Sequence, residues 1–118
     1  MAERGVMYAV WGTKVLPYLE RSIRSVQKHH PSLPYHVEYL PDNSTLLDLV
    51  GVHRQSPFEQ TLFLGVDQIV LGDIMFGFDR AEKFGLALCI NECPWARRYG
   101  GLDGDILEYN SGSLFYTN

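Results

Sequence analysis

The sequence predicts an α/β fold, and three observations carry that prediction. "GVMYAVW" (5–11) is a short, nearly continuous apolar run rich in Val, Tyr and Trp, the composition of a buried strand. Leu16, Leu19, Ile23 and Val26 then recur three and four apart, which places them on one face of a helix. "YHVEYL" (35–40) and "FEQTLFLGV" (58–66) return to strand composition, separated by turn-forming residues. Strand, helix, strand, helix, strand in this order opens an α/β sheet with right-handed crossovers.

Each element has its own local reason. Thr13 is placed to cap the first helix and Pro17 is tolerated in its first turn. Arg21, Arg24, Gln27 and Lys28 fall off the apolar face, and "HHPSLP" (29–34) stops the helix. His29 and His30 end it, where a cation complements the dipole. The second strand alternates apolar and polar residues and runs into the turn cluster "PDNS" (41–44). A short helix is expected from Ser44 to about Val50, capped by Ser44 or Asn43. After the third strand (58–66) and "QIVLGD" (68–73), "IMFGF" (74–78) reads as a tight apolar turn or short helix. "KFGLALCI" (83–90) and "SGSLFYT" (111–117) read as the fourth and fifth strands.

Composition bounds the function. A chain of 118 residues, 46% hydrophobic and 20% charged, is expected to form one domain over 1–118 with a modest core rather than a disordered tail. The net charge of −4 has no basic stripe behind it. The densest basic stretch, "RSIRSVQKHH" (21–30), lies where the outer face of a helix falls, so nucleic acid is not an expected partner. No apolar run approaches the roughly 18 residues of a membrane span. "MAERGVMYAV" lacks the long apolar core of a signal peptide, which makes the cytoplasm the default location.

The cysteines and histidines offer little chemistry. Cys89 and Cys93 in "CINEC" are close enough to bridge or to share a metal, yet zinc wants four ligands and no His follows His53. Two reduced thiols, at least one of them in the core, is the favoured reading. His36 and His53 stand alone in the sequence.

In open α/β sheets ligands collect beyond the carboxyl ends of the strands. That rule selects Trp11-Gly12-Thr13 after the first strand, Pro41-Asp42-Asn43 after the second and Gly65-Val66-Asp67 after the third. "EYNSGS" (108–113), ahead of the fifth strand, joins them on one edge if the strands are parallel. The alternative is that all are ordinary loop residues. Dinucleotide binding is disfavoured, because "VWGTKV" has a single glycine where G-x-G-x-x-G is wanted. "YGGLDGD" (99–105) does not lie between a strand and a helix. There is no G-x-S-x-G, and nothing sets a Ser or Cys beside a His.

"SPFEQTLFLGVDQIVLGDI" (56–74) resembles a segment of the GT-A glycosyltransferases, especially family 8, that reads S-P-[FY]-x-x-T-L-[YF]-L-D-x-D-T-[IV]-V. "YNSGSLFY" (109–116) is similar to that family's F-N-S-G-[VL] stretch, and residues 7–39 resemble its opening strand, helix and strand. The resemblance spans nearly the whole chain. It implies a Rossmann-like mixed sheet with helices on both faces, the N-terminal, donor-binding part of a GT-A domain, shortened after the Asn-Ser-Gly motif.

The implied chemistry is transfer of a sugar from a nucleoside diphosphate, a UDP-sugar above all, to an acceptor. The departing diphosphate gathers charge, which a hard divalent cation, Mn²⁺ or Mg²⁺, neutralises through oxygen ligands. By resemblance Asp67 is the second, metal-binding Asp of the family's D-x-D, and Gly65 stands where the first should be. Trp11, Gly12, Thr13 and Asp42 are the implied nucleotide-binding positions. Asn110 and Ser111 would hold the donor sugar, and Gly112 would let the backbone approach it; the alternative is a plain turn into the fifth strand. Ser56, Pro57 and Phe58 fix the start of strand three and bury a ring.

Asp73 reads as a helix cap, and Asp103 with Asp105 as solvated turn formers rather than a second metal motif. No catalytic residue can be named, because the family's later metal-ligating His and acceptor walls have no counterpart. Two readings follow: a glycosyltransferase with a degenerate motif, or an inactive relative that binds a nucleotide sugar or another protein. A sheet left with an open edge and an uncovered apolar face is expected to self-associate.

Overall fold

A computed structural model describes residues 3–90 and 109–118. The elements are β1 (Arg4–Val10), α1 (Leu16–His29), β2 (Tyr35–Tyr39), a 3-10 helix (Leu46–Gln55), β3 (Gln60–Leu64), α2 (Met75–Phe84), β4 (Leu86–Ile90) and β5 (Tyr109–Thr117). They form an α/β structure around a five-stranded mixed sheet of order β2-β1-β3-β5-β4. β1 runs parallel to β2 and β3, while β5 runs antiparallel to β3 and β4.

The pleat sorts the core into two layers. Val6, Tyr8 and Val10 of β1 and Leu62 and Leu64 of β3 share one cluster with Leu19 and Val26 of α1 and Phe78 of α2. The opposite parity, Met7, Phe63 and Tyr116, packs with Val52 of the 3-10 helix, as alternation along a strand requires. Both α-helices therefore cover one face, and the 3-10 helix covers the other. Every residue of β3 is buried.

Buried polar groups on the α-helical face are paired. Tyr8 Oη lies 2.9 Å from Ser22 Oγ. Ser25 Oγ donates to the Ser22 carbonyl at 2.6 Å and accepts the Val70 N–H at 2.9 Å. Burial pushes the Tyr8 phenol above its ordinary range, against the opposing pull of its bond to Ser22.

Several local expectations need correction. The Thr13 side chain does not cap α1: the N-cap is Val15, and the Thr13 carbonyl accepts the Leu16 N–H at 3.2 Å in a preceding turn. Pro17 does sit in the first turn. The helix expected over 44–50 is a 3-10 helix reaching Gln55, and its added second half buries Val52. It is capped by Thr45, whose N–H donates to Asp48 Oδ2 at 2.7 Å, rather than by Ser44 or Asn43. "IMFGF" opens a ten-residue helix that absorbs the expected start of strand four and stops at Gly85, φ 84°, whose N–H reaches the Ala81 carbonyl at 2.7 Å.

The remaining expectations divide between those the structure meets and those it corrects. Asp73 is not the N-cap of α2, which is Ile74, but from one residue earlier its Oδ1 accepts the Met75 N–H at 2.8 Å. The Phe58 ring is buried against Gly5, where a Cβ would lie 2.4 Å from it. His30 ends α1, and its Nε2 accepts the Ile74 N–H at 3.1 Å. His36 and His53 are not alone: His36 Nε2 lies 2.9 Å from Glu38 Oε2, and the His53 ring packs 4.5 Å from Phe63 and 5.8 Å from Tyr116. Burial lowers the His53 pKa. Cys89 is exposed and free, so it is not the core thiol; Cys93, Asp103 and Asp105 lie outside the described residues.

Candidate functional site

The parallel strands β1, β2 and β3 deliver their carboxyl ends to one edge, and the next residues of each chain segment form the site. After β1 come half-buried Trp11, then Gly12 with φ 72°, a left-handed backbone that favours glycine. After β2 the Leu40 N–H still holds the Val10 carbonyl at 2.8 Å, and a turn closes from the Ser44 N–H to the Pro41 carbonyl at 2.9 Å. Asp42 is exposed within that turn.

β3 ends in a second turn. The Gln68 N–H donates to the Gly65 carbonyl at 3.1 Å, with Val66 and Asp67 in the central positions. That geometry turns Asp67 out of the buried strand, which accounts for an exposed carboxylate directly after an apolar run.

The expectation that β5 joins this edge by running parallel is overturned. β5 is antiparallel, and this direction is what sets its first residues beside the carboxyl end of β3. Leu64 pairs with Ser113, and the Gly65 N–H donates to the Gly112 carbonyl at 2.8 Å. Asn110 and Ser111 precede Gly112 in the same strand, with Asn110 in register with Cys89 of β4. The turn is tied to β5 a second time, by Ser113 Oγ donating to Gln68 Oε1 at 2.5 Å.

A cleft of about 390 Å³ opens on this edge, lined by Trp11, Val15, Tyr18, Leu49, Gly65 and Asp67 among others. Three of the expected residues, Trp11, Gly65 and Asp67, are therefore brought to one cavity. Gly12, Thr13 and Asp42 lie on the same edge but not among its lining residues. Sequence reasoning missed Tyr18, Val15 and Leu49. Tyr18 carried a signal, since it is an aromatic residue off the apolar stripe of α1 and remains 54% exposed. Leu49 carried none, because its place depends on how the 3-10 helix packs.

The residues fit a divalent cation poorly. A hard cation wants about six oxygen ligands, with at least one or two carboxylates fixed for it. Among the described residues no group of three or more His, Cys, Asp and Glu converges. A Cβ on residue 65 would point into the turn, 3.2 Å from Asp67 Oδ1 and 3.3 Å from Gln68 Nε2. The backbone thus still aims position 65 at the Asp67 carboxylate, but what stands next to that place is a neutral amide.

No family model, curated protein or solved structure matches the chain. The architecture that stands is an α/β structure with a five-stranded mixed sheet. No helix among the described residues is long and apolar enough to cross a membrane.

Proposed function

We propose that the chain is a glycosyltransferase-like protein of GT-A type that binds a nucleotide-diphosphate sugar at the cleft beyond β1 and β3. One observation carries the reading. Two stretches that resemble one family's motifs, residues 65–67 and 110–112, meet through the 2.8 Å hydrogen bond between Gly65 and Gly112. That bond continues the antiparallel pairing of β3 with β5, and it brings both stretches to the strand-end edge where ligands collect in open α/β sheets. In this reading Trp11 lies against the nucleoside, Asp67 accepts from hydroxyl groups, and Asn110 and Ser111 serve the donor sugar.

Binding with little or no transfer is the form favoured by the missing carboxylate. Loss of one preorganised electrostatic group costs about 10²- to 10³-fold in rate. Calorimetric titration of UDP-glucose tests the proposal, with Trp11→Ala and Asp67→Ala as weakened variants. Absence of binding at millimolar ligand overturns it.

The reading includes a cytoplasmic protein that self-associates. Leu46, Leu47 and Val50 on the 3-10 helix are 75%, 81% and 78% exposed, and among the described strands β2 and β4 each have a neighbour on one side only. Both features favour contact between copies. A monomer in sedimentation at micromolar concentration argues against that part alone.

A further inference from the structure

We infer that the cleft holds its ligand by the nucleoside end, with a ring against Trp11 and Tyr18 and ribose hydroxyls on Asp67, and that neither the diphosphate nor a divalent cation adds to affinity. This rests on the reading above and narrows it.

The first ground is charge. Asp67 is the sole carboxylate in the lining, and no Lys, Arg or His borders the cleft among the described residues. Lys14 lies in the loop between Thr13 and Val15 but is exposed and outside the lining. Among the described residues a diphosphate entering here meets one like charge, itself exposed to solvent, and no counter-charge. The expected contribution of phosphate is close to nothing.

The second ground is the helix beside the cleft. A helix N-terminus binds phosphate through its free N–H groups, and α1 begins at the cleft wall. Its first turn has few such groups to offer. The Leu16 N–H is taken by the Thr13 carbonyl at 3.2 Å and Pro17 has no N–H, which leaves Tyr18 as the remaining donor among the first three helical residues.

The third ground is the turn at β3. Where a paired carboxylate would complete a cation site, the turn offers backbone at Gly65 and the amide of Gln68, held in place by Ser113. What remains is suited to a neutral ligand. Trp11 and Tyr18 give aromatic faces, Val15 and Leu49 apolar walls, and Asp67 a charged acceptor for hydroxyl donors. A volume of about 390 Å³ sits at the small end of ligand pockets, in keeping with one base and its ribose.

The test compares uridine, UMP, UDP and UDP-glucose by calorimetry, each in EDTA and again with Mn²⁺. Affinities of uridine, UMP and UDP that agree within about threefold, and a UDP-glucose affinity that Mn²⁺ leaves unchanged within that factor, support the inference. 2′,3′-Dideoxyuridine is expected to bind about tenfold more weakly than uridine to the native chain, but equally to Asp67→Ala, since a hydrogen bond to a charged group is lost in either case. If UDP binds about tenfold tighter than uridine, or if Mn²⁺ tightens UDP by that factor, the inference is overturned while the nucleotide-sugar reading stands. If none of the four ligands binds under either condition, both are overturned. The comparison of ligands on the native chain does not depend on any variant folding.

Discussion

Ser25→Ala removes one hydroxyl from α1 and is predicted to loosen a loop far away in sequence. Ser25 is 9% exposed, and its Oγ accepts the N–H of Val70, itself 7% exposed in the core. Deleting the hydroxyl leaves that N–H buried without its acceptor, which costs about 1–3 kcal/mol. Alanine is the better helix former by several tenths of a kcal/mol, so the net loss is about 1–2 kcal/mol. The cost falls on the segment between β3 and α2, which includes Asp67. Hydrogen exchange at the Val70 amide is expected to quicken about 5- to 30-fold, and the urea midpoint to fall with little change in slope. Nucleoside binding is expected to weaken although the cleft itself is untouched. Exchange at Val70 within about twofold of the native rate, together with an unchanged midpoint, would refute the reasoning, because the hydroxyl would then not be the acceptor that secures the loop.

Two further predictions concern the scaffold. Gly77→Ala in α2 would set a Cβ 2.3 Å from the Phe115 ring, which packs edge-on against Phe78 at 5.0 Å. Overpacking of about 1–3 kcal/mol outweighs the helix gain of about 1 kcal/mol, so thermal melting should drop by several degrees; a variant as stable as the native chain contradicts the packing described. His53 has a folded-state pKa below its unfolded value because of burial. Its contribution is fully present above about pH 6.5 and is lost as pH falls through the lowered folded value. Denaturation midpoints should therefore decline below that pH. His53→Phe should remove part of the decline, and an unchanged pH profile counts against it.

The legible part of this molecule was the part set by local pattern. The apolar run at 5–11, the spacing of Leu16, Leu19, Ile23 and Val26, and the stretch at 58–66 marked two strands and a helix near their observed places, because burial on a face imposes a period. α2 was read too short: its helical periodicity passes through Asp79, Arg80, Glu82 and Lys83, while "IMFGF" is apolar almost all round. The direction of β5 was not legible, since strand composition is the same in either direction and only its partners decide. The pairing of Gly65 with Gly112 followed from that unread direction. Trp11, Gly65 and Asp67 were placed by the rule on strand ends, whereas Leu49 reached the cleft through a long-range contact that no local signal announces.

The position of β5 also sets an order of events in time. In the finished sheet it lies between β3 and β4, though it follows both along the chain. During synthesis, at about 5–20 residues per second, β3 emerges with one flank paired to β1 and the other bare. β4 then arrives with no strand to join. Leu64 must wait for Ser113, and such distant pairing is slow because the intervening chain must first be closed into a loop. During synthesis the half-built sheet therefore carries its most buried strand as an edge for some seconds, a state in which another chain or a chaperone can claim the place reserved for β5.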